Sequence, residues 1–302
     1  MKSSRPGLAL LRIFYLLLLP LVLVPRSLGL GLVRLAARIV WFLAPSLRRT
    51  VRENHELFVG RRLSEGDARD FTRQVFFAYG RYVLDLFLSF RRAGPQVEVR
   101  GVEHLRVLLD AGTGAVLVTT HTGNWECGLF ALPRERPQVE VITAAGRFRG
   151  LERLRSALRR RFGLRERLGG KSLDALDLLG RVREGSWLAV QGDRAEPDRG
   201  EWSPFGAGEA YLPVGPWRLA RAAAVPLLPV TTFYENDDTL VVHIDALVPS
   251  DGEGEEVRRR LHDSLAAAVR RAPEQWLMMV PVMRREESSA CDPLFGSSTA
   301  TT

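Results

Sequence analysis

Along the 302-residue chain the spacing of apolar and polar positions changes several times, and each change marks an element. Gly7–Val24 is apolar apart from Arg12 and carries Pro20. As a helix it would reach about 27 Å, the lower limit for a membrane span. Leu28–Ala44 is a second apolar segment, with Arg34 and Arg38 four apart on one face. That is the pattern of an in-plane amphipathic helix whose arginines reach lipid phosphates. A helix pair covering a core gives the same pattern, so both readings stand. Lys2 and Arg5 precede the first run as in a signal peptide, but Pro25-Arg26-Ser27-Leu28 follows where a small-x-small cleavage site belongs. Attachment without cleavage is the expectation, as a span or a hairpin.

Ser64-Glu65-Gly66-Asp67 resembles a capping box and predicts a helix to about Phe90, with an apolar face that includes Phe76, Tyr82, Val83 and Phe87. Val97–Val99 alternates as a strand and His104–Leu109 reads as a short helix. Ala115–Thr120 is a short apolar, β-branched strand that stops at His121; Thr122-Gly123-Asn124 turns the chain, and Trp125–Leu129 opens a helix. Val139–Thr143 is the next strand, Ser172–Arg183 a helix, and Trp187–Gln191 a strand that also ends in a polar tip, Gly192-Asp193-Arg194. Glu201–Phe205 with Gly206 and Gly208 reads as a loop, and Val214-Gly215-Pro216 starts a helix to Ala224. Pro226–Phe233 and Thr239–Ala246 form a hairpin, and Glu255–Arg271 is the last helix. There is no internal repeat. Strands that end in polar turns before helices define an α/β fold.

Charge sharpens the picture. The net charge is +8, and nine of the 43 Lys and Arg residues lie in residues 1–52, which contain no acid. The remainder holds 34 basic against 35 acidic residues and is nearly neutral. Because the N-terminal basic residues are interleaved with Leu, Val, Phe and Trp, an anionic membrane surface fits better than nucleic acid. The expected organisation is a hydrophobic, basic attachment segment over residues 1–50, an α/β domain over 51–285 and a disordered Ser/Thr-rich tail over 286–302. Cys127 and Cys291 form no framework, which points to a reducing compartment.

The candidate chemistry sits at the exit of the Ala115–Thr120 strand. On one continuous helix His121 and Glu126 would lie about 140° apart. With the histidine still in the turn and the glutamate in the first helical turn, they can meet. A carboxylate there accepts the Nδ1–H and leaves Nε2 free as a base. A histidine beside a turn is also a common structural residue, and Cys127 is expected to pack inward. Nine arginines between Arg147 and Arg167 form either a solvated helix face or an anion-binding surface. The remaining histidines lack ligand spacing, so no metal is expected.

The segment His121-Thr122-Gly123-Asn124-Trp125-Glu126 resembles the HxxxxD/E motif of the lysophospholipid acyltransferase superfamily. The Gly-Asn-Trp interior is similar to the lipid A biosynthesis (late) acyltransferase branch, which also holds phosphatidylinositol mannoside acyltransferases. The likeness covers roughly residues 10–285. It includes Arg49–Asn54, Asp193-Arg194, Pro204-Phe205-Gly206, Gly215–Pro229 and Pro273-Glu274-Gln275-Trp276. Two departures stand out: Leu-Met-Met-Val-Pro-Val-Met follows Trp276 in place of a His/Arg-containing run, and the Asp193 loop lacks the aromatic version common in lipid A enzymes.

The resemblance implies a mixed, mostly parallel central sheet flanked by helices, as in glycerolipid acyltransferases. It also implies acyl transfer from acyl carrier protein or coenzyme A thioesters to a glycolipid or phospholipid hydroxyl. The setting would be the cytoplasmic face of the inner cell membrane, with membrane lipids as partners, no cofactor, and a monomer. His121 would be the base, Glu126 its orienting partner, and Asp193 with Arg194 the second active-site loop. Asn124, Arg147, Arg149 and Arg218 are further substrate-binding candidates. A thioesterase using the same histidine lacks a G-x-S-x-G elbow here. A non-catalytic membrane-binding protein is the remaining alternative.

Overall fold

The computed structural model describes residues 24–91, 93–132, 136–143, 149–169 and 175–285, with residues 149–151 described by backbone alone. The apolar run before Val24 and the tail after Arg285 lie outside the described residues. The described residues open on α1 (Arg26–Leu43), α2 (Pro45–Val59) and α3 (Glu65–Leu88). Ser64 caps α3, accepting the Asp67 N–H at 3.1 Å, as the capping pattern predicts. Leu30 and Val33 of α1 pack with Tyr82, Val83 and Leu86 of α3, so α1 is built onto the domain. Among the described residues no single helix is long and apolar enough to cross a membrane; α1 and α2 together are bent by 95°.

The remaining elements are β1 (Gln96–Arg100), α4 (Val102–Ala111), β2 (Ala115–Thr119), α5 (Trp125–Phe130), β3 (Val139–Thr143), α6 (Arg149–Arg161), β4 (Leu164–Leu168), α7 (Ala175–Arg183) and β5 (Trp187–Gln191). They continue with β6 (Gly200–Phe205), β7 (Gly208–Pro213), α8 (Gly215–Ala223), β8 (Leu227–Tyr234), β9 (Thr239–Ile244), α9 (Gly254–Arg271) and β10 (Met283–Arg284). Seven strands form one sheet in the order β1-β9-β8-β2-β5-β3-β4. All neighbours run parallel except the β8–β9 hairpin. This is the mixed, mostly parallel α/β sheet expected.

Side chains alternate across the strands, so each face meets its own layer. On β2, Val116 and Val118 join a core with Leu178 and Val182 of α7, Ala220 of α8 and Leu265 of α9. Ala115 and Leu117 face the other way, with Leu105 and Leu108 of α4 and Trp187 of β5. The segment at Glu201–Phe205, expected to be a loop, is instead the first arm of a β6–β7 hairpin extended by β10. Gly206, at φ 72°, makes the tight reversal, and Phe205, Ala210 and Leu212 turn inward from the two arms.

Candidate active site

The site follows from strand register. β2 and β5 are parallel neighbours, with Thr119 opposite Gln191. Two residues beyond each strand end stand His121 and Asp193, at the carboxyl edge where open α/β sheets place their chemistry. Asp193 Oδ1 lies 2.7 Å from His121 Nδ1, and Asp193 Oδ2 accepts the His121 backbone N–H at 2.7 Å. Trp276 Nε1–H donates to the same Oδ2 at 2.9 Å. Asp193 is fully buried. Burial pushes its carboxyl up, but the His121 ring charge and the hydrogen bonds from His121 and Trp276 outweigh this and hold it below the usual carboxylate range. An ionised carboxylate only accepts, so it fixes the proton of neutral His121 on Nδ1. Nε2 then carries the lone pair and makes no hydrogen bond to a described residue.

The turn around His121 is held from three sides. Gly123 has φ 55°, and a Cβ there would stand 2.5 Å from the Thr232 carbonyl oxygen, so both backbone and space require glycine. Its N–H donates to the Gln275 carbonyl at 3.1 Å, and Leu277 N–H donates to the His121 carbonyl at 2.8 Å. Gln275 clasps Tyr234: its Oε1 accepts the Tyr234 N–H at 2.7 Å and its Nε2 donates to the Tyr234 carbonyl at 2.8 Å. Asn124 Oδ1 accepts the Cys127 N–H and caps α5, while its Nδ2 donates to the Tyr82 carbonyl and the Tyr234 hydroxyl. Expected at the substrate, Asn124 is instead wholly enclosed and spends its polar atoms holding the helix start.

Glu126 does not meet His121 Nδ1. The first turn of α5 aims its carboxylate at α6, where Arg159 Nε donates to Oε2 at 3.1 Å and Arg159 Nη2 to Oε1. Arg155 Nε lies 3.8 Å from the same carboxylate, and Arg155 also donates to the Tyr82 hydroxyl. Trp125, one residue earlier, is the group that α5 turns towards the histidine, edge-on at 5.2 Å between ring centres. Burial opposes the Arg159 charge, yet Glu126 and Glu166 more than compensate and raise its pKa.

Several arginines of the Arg147–Arg167 stretch therefore bind the protein's own carboxylates. Arg159 also reaches Glu166 at 2.5 Å, and Arg167 reaches Glu140 at 2.9 Å. Arg147 lies outside the described residues, as does the Arg149 side chain. Arg194 is exposed on the loop after Asp193. Arg218 is exposed on α8, with Glu201 at 3.1 Å. Burial pushes the Cys127 thiol up to about 12, which makes it inert as a nucleophile.

A family model for the bacterial lipid A biosynthesis acyltransferases matches residues 2–285. The chain belongs to that family. It is 29% identical over 230 residues to the phosphatidylinositol mannoside acyltransferase of Mycolicibacterium smegmatis, covering 70% of this chain and 72% of that one. It is 27% identical over 224 residues to the phosphatidylinositol mannoside acyltransferase of Mycobacterium tuberculosis strain CDC 1551, covering 68% and 67%. The protein is an O-acyltransferase of lipid substrates.

In this acyltransferase the bond from Trp276 to Asp193 and the Arg159 partner of Glu126 escaped sequence reasoning. Trp276 carried a signal, since it stands in the Pro273–Trp276 motif; Arg159 was one of nine arginines in its stretch and carried none of its own. Beside the turn, Trp125, Leu117, Leu129 and Val230 line a narrow apolar cavity of about 20 Å³ between the sheet and α5. That is room for about one water.

Proposed function

We propose that the protein moves a fatty acyl chain from a thioester of acyl carrier protein or coenzyme A to a hydroxyl of a glycolipid or phospholipid, using no cofactor. Phosphatidylinositol mannoside, the acceptor in the relatives' names, is the first acceptor class to test. His121 Nε2 takes the acceptor hydroxyl's proton as the oxygen attacks the thioester carbonyl carbon. The tetrahedral adduct then expels the thiolate, which receives that proton from His121, leaving an ester and a free thiol. Asp193 keeps its negative charge throughout and stabilises the imidazolium. Glu126 acts at one remove by tying α5 to α6 through Arg159.

The observation that carries this reading is the 2.7 Å contact between His121 Nδ1 and a buried carboxylate held ionised. The exposed face of α1 supports a location at a membrane. Leu28, Leu32, Leu35, Ile39 and Phe42 recur every three or four residues and are exposed, Phe42 at 72%. An apolar stripe of that length on one helix suits the interface of a bilayer. We assign it to the cytoplasmic face, where thioester donors are available.

The test is thiol release by the purified full-length protein given acyl thioester, with and without lipid acceptor. Release should require acceptor and fall about 10²–10⁴-fold in His121→Ala. Release without acceptor would make the protein a thioesterase, and wild-type turnover by His121→Ala would end the proposal.

A further inference from the structure

We propose that Arg38, Arg48 and Arg73, gathered around Trp41, form a binding site for the phosphate of an anionic phospholipid at the rim of the apolar face of α1. Arg38, Trp41, Phe42 and Arg73 line a cleft of about 400 Å³ where the end of α1 meets α3. The Arg48 guanidinium stands 4.3 Å and that of Arg73 4.7 Å from the centre of the Trp41 ring. The indole is pinned, since Trp41 Nε1–H donates to Thr72 Oγ1 at 2.9 Å.

The charge balance around Trp41 is uneven. Among the described residues only one carboxylate approaches: Asp70, itself exposed, lies 3.7 Å from Arg73. Arg38 and Arg48 have no carboxylate within ion-pair distance among the described residues. Two other arginines of α1 have carboxylate partners. Arg26 grips Asp85 with two hydrogen bonds, and Arg34 pairs with Asp237 at 2.8 Å. Positive charge is therefore in excess where α1, α2 and α3 meet around Trp41. Arg38 and Arg73 open onto the cleft, with Arg48 against the Trp41 ring beside it, and a phosphate accepts from planar forks bidentately.

The neighbouring surface selects a lipid over free phosphate. Phe42 belongs both to the cleft and to the exposed stripe that continues through Ile39 and Leu35. An inorganic ion would neutralise the arginines and leave that stripe in water. A phospholipid places its phosphate in the cleft and its chains beside the stripe, with a tryptophan at headgroup depth. The inference rests on the reading of α1 as a bilayer-facing helix, and goes beyond it in naming the headgroup chemistry and its residues.

The experiment is co-sedimentation of the purified full-length protein with vesicles of phosphatidylcholine alone or mixed with phosphatidylglycerol. Wild type should bind the mixed vesicles more tightly, and R38Q/R48Q/R73Q should lose most of that preference, on the order of a hundredfold in affinity. Neutral-vesicle binding should stay unchanged in this variant, and its thermal melt should match wild type. Replacing the three by lysine should recover only part of the preference, because the fork geometry is lost. Equal loss from R106Q/R199Q/R259Q, on other elements, would show bulk charge alone and overturn the site. So would full recovery by lysine, or a wild type that binds both vesicles equally. Competition by inorganic phosphate as strong as by phosphatidylglycerol would make the cleft a soluble-anion site, and a concentration-dependent dimer that buries Trp41 would make it a contact between copies. A wild type that binds neither vesicle would instead remove the bilayer-facing reading itself.

Discussion

Asp193 Oδ1 lies 2.7 Å from His121 Nδ1, although 72 residues separate the two in the chain. Glu126, only five residues from the histidine, is held by Arg159. The nearer carboxylate therefore has a structural partner, and the farther one binds the histidine ring. An amide at position 193 would present both a donor and an acceptor to the ring and allow the wrong tautomer. Asp193→Asn should fold and lower kcat about 10³-fold or more; steady-state thiol release checks it.

Glu126 carries a different load. Removing its charge leaves Arg159, only 5% exposed, and Arg155 short of a buried partner. Breaking a buried pair from one side costs about 3–5 kcal/mol. Glu126→Gln should lose stability of that order in urea denaturation, well beyond the loss in Asp193→Asn. Replacing Glu126 and Arg159 together by Met should recover part of it, because the buried pair is removed from both sides while Arg155 keeps Glu152 and Glu166 keeps Ser156.

Trp276 offers a finer probe. Its ring packs 5.8 Å from Phe58 and 6.0 Å from Phe205, and its N–H bonds Asp193 Oδ2. Trp276→Phe keeps an aromatic ring in place and deletes the donor. Loss of a hydrogen bond to a charged acceptor should reduce kcat about tenfold, with KM nearly unchanged. The pH profile of kcat/KM should shift as well, since the carboxylate that faces the imidazole loses a stabilising donor.

Acid stability should be set partly by His262. Burial, with a lesser contribution from the Arg258 charge, pushes its pKa down to about 4 from an ordinary 6.5. Between those values the unfolded chain binds a proton that the folded protein refuses. Stability therefore falls as pH drops through that window, by about 3 kcal/mol in all. His262→Leu should flatten the dependence of the urea midpoint on pH between 6.5 and 4.

The strand, turn and helix around His121 were legible because short-range patterning dictates them: the apolar run to Thr120 and the small turn residues before Trp125. The β8–β9 hairpin, the long capped α3 and the two polar strand tips were legible for the same reason. The order of strands was not. β3 and β4 intervene in the chain between β2 and β5, yet the sheet places both beyond β5, so the tips at His121 and Asp193 become neighbours. Local spacing offered Glu126 as the nearest carboxylate, and only tertiary register gives Asp193 the place. The β6–β7 hairpin escaped because Gly206 and Gly208 obscured an alternation that only the buried Phe205, Ala210 and Leu212 reveal. The anion-binding face expected of the Arg147–Arg167 stretch turned, in part, towards Glu126, Glu140 and Glu166, partners set by packing.

The tautomer of His121 tests the central claim most directly, and nitrogen-15 NMR of the histidine rings in the purified full-length protein reads it, with His121→Gln identifying the signal. The account predicts a proton on Nδ1 and a free lone pair on Nε2 in wild type, preserved in Glu126→Gln and lost in Asp193→Asn. A signal that survives Asp193→Asn and disappears in Glu126→Gln would contradict it.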